Sequence, residues 1–181
     1  MKRLFDIIVS VAAMAFLSPA VALVWLAIFL ERSGPVFYRQ VRVGLGGKTF
    51  DLYKFRSMAV GADKDGYSTA RNDSRITKVG AFIRKWSLDE IPQLWNVLKG
   101  DMSLVGPRPD VPAQRELYEI EDWEKRCSVK PGITGEAQVR YRSSCTFQQR
   151  LVADLDYVKS EKTVCKDLSI LLKTIFKLKS W

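Results

Sequence analysis

The stretch that decides the fold is IIVSVAAMAFLSPAVALVWLAIFL, which runs from Ile7 to Leu30. None of its residues is charged, and at about 1.5 Å per residue in an α-helix it is long enough to span a bilayer. The sequence therefore predicts a membrane-associated helix near the N-terminus. Three arrangements fit such a segment: a cleaved signal peptide, a single crossing and a re-entrant helix.

A cleaved signal peptide is suggested by Lys2 and Arg3 before the apolar stretch and by the small residues Ala20-Val21-Ala22, which look like a cleavage site. The apolar stretch continues beyond that site to Leu30, however, which a signal peptide does not require. We therefore expect the segment to remain in the mature protein.

The choice between a crossing and a re-entrant helix depends on the flanks. Basic residues precede the segment, and more follow it closely: Arg32, Arg39, Arg42 and Lys48. Basic flanks tend to stay in the cytoplasm, and a single crossing would separate them. Pro19 removes a backbone hydrogen bond and bends a helix, and Ser18 is available to satisfy the freed carbonyl. These features favour a kinked, re-entrant helix over residues 1–34, broken at Ser18-Pro19, with both ends cytoplasmic; a straight crossing remains the alternative.

Residues 35–181 are predicted to form one α+β domain that is mainly helical and has a small β element. Pro35 to Met58 is typical of two short strands joined by a turn at Gly44 to Gly47, and a polar loop follows from Gly61 to Asp73. Four helices are predicted in the centre of the domain: Ile76–Trp86, Leu88–Leu98, Val111–Arg126 and Phe147–Val158.

The C-terminal stretch has the apolar period of an amphipathic helix. Its apolar positions are Leu168, Leu171, Leu172, Ile175 and Phe176, and the opposite side carries Lys166, Lys173 and Lys177. Such a helix ordinarily packs its apolar face on the protein core. The alternative is an interfacial helix lying on an anionic membrane, and the apolar N-terminus strengthens that interpretation.

The charge and composition restrict the chemistry. The chain has a formal net charge of +9, which suits an anionic partner such as nucleic acid, anionic lipid or a phosphorylated substrate. It contains no histidine, and its cysteines, Cys127, Cys145 and Cys165, are too scattered for a disulfide framework or a zinc cluster. Catalytic groups must then come mainly from carboxylate, Lys, Tyr, Ser or Cys side chains. A metal bound by oxygen ligands would be Mg²⁺.

The adjacent carboxylates Asp89 and Glu90 are the candidates for catalysis. Locally, the pattern Ser87-x-x-Glu90 is typical of a capping box, in which acids stabilise the first helical turn. The functional alternative is that one carboxylate binds a metal while the other, kept ionised, attacks phosphorus.

Several cations accompany the acidic pair in the sequence. They are Lys54, Arg56, Arg75, Arg84 and Arg108. Each alone is typical of a solvated surface charge. Arg108 stands between two prolines that fix its backbone, and its planar guanidinium suits bidentate contact with phosphate. A membrane anchor, paired acids and these cations together indicate an enzyme acting on phosphate at a membrane.

The run DSRITKVGAFIRKWSLDEIPQLWNVLKGDMSLVGPRP, from Asp73 to Pro109, closely resembles the bacterial sugar transferase family, the monotopic phosphoglycosyl transferases. KFRSM (Lys54–Met58) and PGITGEAQV (Pro131–Val139) match in the expected order, as does the apolar N-terminus with Ser18-Pro19. The resemblance covers essentially the whole chain, which has about the size of the family's minimal catalytic unit.

The resemblance implies a re-entrant helix in a bacterial inner membrane, a catalytic domain on the cytoplasmic face and a two-step exchange. Asp89 would attack the β-phosphate of a UDP-sugar, expelling UMP and leaving a phosphosugar on the aspartate. A polyprenyl (undecaprenyl) phosphate would then receive the sugar phosphate, which initiates glycoconjugate or exopolysaccharide assembly. Glu90 matches a second acid expected to bind Mg²⁺ beside Asp89. The remaining matches are expected to contact substrate phosphate or line the site: Lys54, Arg56, Arg75, Arg84 and Arg108.

The chain departs from the family pattern after Val139. It reads Arg140-Tyr141-Arg142-Ser143 where the family usually has asparagine-glycine-arginine-asparagine, and Phe147 replaces a common tryptophan. Arg142 still occupies the arginine position and Asp154 the later aspartate, so both are candidates for substrate binding. These changes bear on recognition of sugar and nucleotide more than on the chemistry.

A second class of function also fits the charge: a membrane-tethered basic protein that binds anionic lipid or nucleic acid without catalysis. That class leaves the Asp89-Glu90 pair and the proline-flanked Arg108 unexplained. We therefore expect a UDP-sugar, a polyprenyl phosphate and membrane lipids as partners, and no nucleic acid. The sugar stays open between a hexose, an N-acetylhexosamine and a diacetamido sugar.

Overall fold

The computed structural model describes residues 1–32, 34–62, 73–141, 145–160 and 163–178. The predicted apolar segment lies within one helix, α1, from Lys2 to Glu31, with Pro19 inside it. Ser18 Oγ donates a hydrogen bond of 2.8 Å to the carbonyl of Ala15. That carbonyl is the one to which residue 19 would donate if it had an N–H, so the expected role of Ser18 is confirmed. The helix is continuous through Pro19, and a break within the membrane stays a prediction.

Both ends of α1 are fixed to the rest of the protein. Near the N-terminus, Lys2 forms an ion pair with Asp167, and the buried Asp6 accepts a 2.8 Å hydrogen bond from Ser103. At the C-terminal end, Glu31 Oε1 accepts a 3.0 Å hydrogen bond from the backbone N–H of Val79. The two ends of the helix therefore lie against one and the same domain.

The outward side of α1 is apolar and uncovered. Among the described residues, α1 is the one helix long and apolar enough to cross a membrane, with a mean hydropathy of 2.4 in its most apolar window. Its large exposed side chains include Ile8, Val11, Phe16, Leu23, Leu26, Phe29 and Leu30. A continuous exposed apolar face of this size marks an interaction with a membrane or another apolar surface.

The predicted hairpin is confirmed. Strand β1 (Phe37–Val43) pairs antiparallel with β2 (Thr49–Phe55), and the turn between them has positive φ at Gly46 and Gly47. Side chains alternate along a strand, so Tyr38, Gln40 and Arg42 lie on one face.

Six further α-helices lie in the described part of the chain. They are α2 (Lys78–Lys85), α3 (Gln93–Lys99), α4 (Ile120–Cys127), α5 (Glu136–Tyr141), α6 (Phe147–Lys159) and α7 (Val164–Leu178). A short parallel pair was not predicted: β3 (Ser103–Val105) with β4 (Gly132–Thr134). The mainly helical α+β class is confirmed. The main core lies between β3 and the helices α3, α5, α6 and α7, and the N-terminal half of α1 packs against it.

Two predicted helices are wrong in extent. The segment predicted as Leu88–Leu98 contains a 3₁₀ turn, Leu88–Glu90, and α3 begins only after Pro92, which has no N–H to continue a preceding helix. The segment predicted as Val111–Arg126 divides into a 3₁₀ turn over Pro112–Leu117 and α4. Tyr118 between them is extended, and its buried hydroxyl donates a 2.6 Å hydrogen bond to Asp110.

The side of α7 that packs on the core differs from the apolar side predicted from the sequence. Asp167 and Ile170 are buried, and Leu171 contacts the core at its edge. Four of the five predicted apolar positions stay exposed: Leu168, Leu172, Ile175 and Phe176. The core-packing alternative therefore does not account for them.

Candidate active site

Asp89 and Glu90 lie in the 3₁₀ turn between α2 and α3. The turn follows Ser87, whose φ of 54° is unusual for a residue with a side chain, and the Ser87 side chain makes no capping hydrogen bond. The capping-box interpretation is therefore wrong. Backbone strain of this kind, which costs about 1–3 kcal/mol, is concentrated at functional sites.

Glu90 is held between two cations. Its Oε1 accepts hydrogen bonds from Lys54 Nζ at 3.0 Å and from Arg108 Nη2 at 2.6 Å. Burial opposes ionisation of Glu90, but the charges of Arg108 and Lys54 prevail and hold its pKa well below the usual range. Glu90 is thus an anion that joins β2 to the loop carrying Arg108.

The Asp89 carboxylate, unlike that of Glu90, has no cation bound to it among the described residues. Its side chain is buried, with 9% of the residue exposed, and it lines a cavity. Within the part of the chain that the structure describes, its carboxylate makes no hydrogen bond and no ion pair. Burial raises the pKa of Asp89 and the charge of Glu90 raises it further, while Lys54, Arg84 and Arg108 oppose both effects. Asp89 is therefore an uncommitted carboxylate surrounded by cations.

The cavity has a volume of about 430 Å³ and is strongly basic. Among the described residues, two carboxylates line it, Asp89 and Asp110, and they are outnumbered by the cations Arg42, Lys54, Arg56, Arg84, Arg108 and Arg150. The excess of positive charge, even with Glu90 counted, matches a ligand with several phosphate charges.

The structure gathers most of the predicted site residues at this cavity. Lys54, Arg56, Arg84, Arg108 and Asp89 line it together, and Glu90 lies directly behind Lys54 and Arg108. Arg142 lies outside the described residues.

Arg75 lies beside the cavity and is bound to other protein groups. Its Nη2 pairs with Asp73 at 2.6 Å, and its Nη1 donates a 2.6 Å hydrogen bond to the carbonyl of Ala62. The Arg75 guanidinium lowers the pKa of Asp73 to about 2. Arg75 therefore supports the chain next to Ala62, and contact with substrate stays a prediction.

Asp154 lies behind the cavity wall. It is 1% exposed and accepts a 2.8 Å hydrogen bond from Arg126 Nε. Arg126 also pairs with Asp110 at 2.7 Å and donates to the carbonyl of Arg108. The structure thus places Asp154 in a buried charge network that supports the Arg108 loop, rather than in contact with the cavity.

Sequence reasoning missed the contribution of β1 to the site. Tyr38, Gln40 and Arg42 line the cavity, and Tyr38 is the cross-strand partner of Lys54. The sequence feature that indicates this contribution is the alternation of these three residues on the strand that pairs with the KFRSM segment. Arg42 was considered only as a basic flank of the apolar helix.

The carboxylates of Asp89 and Glu90 are the groups that could bind Mg²⁺ at this site among the described residues. The described residues contain no group of three or more carboxylate, cysteine or histidine side chains that could hold a metal. Mg²⁺ commonly binds through one or two carboxylates together with substrate phosphates. The uncommitted oxygens of Asp89, next to Glu90, fit a site of that kind and do not form a closed protein cage.

Comparison with known proteins identifies relatives along the whole chain. The bacterial sugar transferase family model matches residues 1–180. A UDP-glucose:undecaprenyl-phosphate glucose-1-phosphate transferase of Caulobacter vibrioides is 42% identical, over 96% of this chain and 68% of its own length. The protein of the same description from Escherichia coli is 43% identical, over 98% of this chain and 40% of its own length.

A third relative carries another sugar in its description. The undecaprenyl-phosphate galactose phosphotransferase of Salmonella typhimurium is 43% identical, over 96% of this chain and 39% of its own length. The chain therefore spans about two fifths of the length of two of these relatives and about two thirds of the third.

Proposed function

The chain belongs to the bacterial sugar transferase family, and on this premise we propose that it transfers a sugar 1-phosphate from a UDP-sugar to undecaprenyl phosphate and releases UMP. The observation that carries this proposal is the state of Asp89: a buried, uncommitted carboxylate in a cavity lined by cations, next to an apolar helix with an uncovered face. The names of the relatives support this choice of donor and acceptor.

The reaction proceeds in two displacements at phosphorus. In the first, an oxygen of Asp89 forms a bond to the β-phosphorus of the donor, and the bond from that phosphorus to the bridging oxygen breaks. UMP leaves with the bridging oxygen, and the sugar phosphate stays on the aspartate. In the second, a phosphate oxygen of undecaprenyl phosphate attacks the same phosphorus and breaks its bond to Asp89, which regenerates the carboxylate.

The side chains around Asp89 supply the electrostatic part of the catalysis. Lys54, Arg84 and Arg108 favour the ionised carboxylate and so oppose burial and the charge of Glu90, which together raise the pKa of Asp89. The same cations neutralise the incoming phosphate, which otherwise repels an anionic nucleophile. Glu90 aims Lys54 and Arg108 by accepting from both on one oxygen.

Mg²⁺ is part of the proposal. Asp89 and Glu90 would hold it together with phosphate oxygens of the donor. The ion supplies further neutralisation of phosphate charge when it is bound.

The contacts of α1 support a re-entrant arrangement in the membrane. Lys2 pairs with Asp167 and Glu31 accepts from Val79, so both ends of the helix contact the catalytic domain, as an arrangement with both ends on one side of the membrane requires. The apolar outer face would enter one leaflet of the bacterial inner membrane and return, with the domain on the cytoplasmic face. The exposed apolar side chains of α7, among them Leu172 and Phe176, would lie in the interface.

The direct test uses the purified protein with Mg²⁺, undecaprenyl phosphate and a panel of UDP-sugars that includes UDP-glucose, UDP-galactose and N-acetylated sugars. We expect UMP and a lipid-linked sugar diphosphate from at least one donor, and neither product from Asp89→Asn. Absence of UMP with every donor would contradict the proposal and favour a non-catalytic, lipid-binding protein.

A further inference from the structure

Two arginines next to the Arg108 loop differ in their electrostatic environment. Arg126 is 5% exposed and pairs with two buried carboxylates, Asp110 at 2.7 Å and Asp154 at 2.8 Å. Arg42 lines the cavity and has no carboxylate within ion-pair distance among the described residues. The first arginine is neutralised by the protein, and the second retains its charge for a ligand.

The guanidinium of Arg42 is held in place by two hydrogen bonds, and some of its N–H groups have no partner among the described residues. Nη1 donates a 3.0 Å hydrogen bond to the carbonyl of Pro109, and Nη2 donates a 2.5 Å hydrogen bond to Gln40. Nε–H is buried and has no hydrogen-bond partner in the described structure. A fork of five N–H donors held in this way has a fixed direction and donors to spare.

The environment of Arg42 disfavours its charge. Burial lowers the pKa of Arg42 to about 10, and the neighbouring charge of Arg108 contributes to the shift. A half-buried cation beside another cation is stabilised by an anion that contacts both. The cavity in front of Arg42 is where such an anion would bind.

The donor has two phosphates, and the site orders them. The Arg108 side chain donates a 2.6 Å hydrogen bond to Glu90, the chain neighbour of Asp89. On its other side, Arg42 donates a 3.0 Å hydrogen bond to the carbonyl of Pro109, the residue after Arg108. Asp89, Arg108 and Arg42 line one cavity with Arg108 joined to both neighbours, so a phosphate placed at Asp89 leaves its neighbour in the diphosphate near Arg42.

We propose that Arg42 binds the α-phosphate of the donor, the phosphate that leaves as UMP, while Arg108 contacts both phosphates. This inference rests on the proposed function. When the bond between the β-phosphorus and the bridging oxygen breaks, its electron pair and negative charge stay on that oxygen. Arg42 stabilises this charge by hydrogen bonds and does not need to transfer a proton.

Arg42→Gln tests the proposal, with Arg39→Gln as the matched control. Arg39 stands on the same strand at an exposed position, with its guanidinium 5.4 Å from the centre of the Tyr53 ring. UMP release from donor alone should fall about 100-fold in Arg42→Gln, the loss typical of removing one oxyanion donor, and change little in Arg39→Gln. Transfer from the preformed phosphosugar enzyme to undecaprenyl phosphate should keep its rate in both variants, because UMP has already left.

UMP affinity, measured by calorimetry, gives a readout that needs no turnover. We expect Arg42→Gln to raise the Kd of UMP at least tenfold and Arg42→Lys to raise it less. Unchanged UMP affinity, or equal losses in the two half-reactions, would overturn the assignment. If the wild-type protein released no UMP from any donor but bound UMP through Arg42, the proposed function would fail while the nucleotide phosphate site would stand.

Discussion

Glu90 and Arg108 form a 2.6 Å hydrogen-bonded ion pair that joins the turn of the proposed nucleophile to the proline-flanked loop. The pair fixes the guanidinium beside Asp89. Glu90 is also engaged by Lys54, which donates to the same Oε1, whereas the Asp89 carboxylate makes no hydrogen bond in the described part of the chain. In the proposed reaction the two adjacent carboxylates therefore have separate roles: Asp89 attacks phosphorus, and Glu90 orients the cations.

Replacing Glu90 by Gln should lower the rate of UMP release about 10- to 100-fold, the range typical of losing an orienting group behind a catalytic site. Lys54 and Arg108 lose their anionic partner in this variant. The Mg²⁺ concentration needed for half-maximal activity should rise. The matched control is Glu121→Gln on α4, where Glu121 is exposed and pairs with Lys125. Steady-state kinetics at several Mg²⁺ concentrations give the comparison, and equal behaviour of the two variants would refute the role of Glu90.

The decline of the UMP release rate toward acidic pH should reflect protonation of Asp89. Because burial and Glu90 raise its pKa, Asp89 takes up a proton at a higher pH than an exposed aspartate, and UMP release should decline from that higher pH downward. Glu90→Gln removes a charge that raises the pKa and should move the acid limb to lower pH. Arg84→Gln removes a charge that lowers it and should move the limb to higher pH.

Single-turnover UMP release as a function of pH measures these shifts, whatever the absolute rate of each variant. An acid limb that is identical in the wild type, Glu90→Gln and Arg84→Gln would show that another group titrates.

The local parts of the fold were predictable from the sequence. Ser18 was assigned to the carbonyl freed by Pro19 because both lie within one turn of a helix. The β1–β2 hairpin was predictable because its glycine turn and its two strands are contiguous. The parallel pair of β3 and β4 was missed, since each strand has three residues and its partner lies far along the chain.

The site was predictable where residue chemistry and family resemblance sufficed, as for Asp89, Lys54 and Arg108. Arg42 was missed because its place in the cavity depends on the pairing of β1 with β2. The capping box at Ser87 was wrong because its positive φ turns the chain before the helix, which no local pattern indicated. Asp154 was identified from the resemblance, but its partner Arg126 emerges only from tertiary contacts.

The buried network should contribute far more stability than its exposed counterpart. Arg126→Ala leaves Asp110 and Asp154 buried without their cation and should lower the free energy of unfolding by about 3–5 kcal/mol. Arg140 also pairs with two carboxylates, Glu136 and Asp156, but is partly exposed. Arg140→Ala should cost at most about 1 kcal/mol. Denaturant unfolding in detergent micelles measures both values, and comparable costs would contradict the structural role of Arg126.

The ends of α1 should be accessible from the same side of the membrane. Cysteines at Leu4 and Arg39, in a background without the native cysteines, should react with an impermeant maleimide in inside-out vesicles and not in intact spheroplasts. Labelling of the Leu4 site from the outside would contradict the re-entrant arrangement. Pro19→Ala restores the N–H that the helix lacks and should increase the fraction of molecules that cross the membrane fully.

Mass spectrometry of the protein incubated with Mg²⁺ and its UDP-sugar donor, without undecaprenyl phosphate, tests the central claim most directly. We expect one sugar-phosphate adduct on the peptide that contains Asp89, with release of one equivalent of UMP. Asp89→Asn should form no adduct, although removing a buried charge should leave its fold at least as stable as the wild type at neutral pH. If UMP appears only after undecaprenyl phosphate is added and no adduct forms, the transfer is a direct displacement and Asp89 is not the nucleophile.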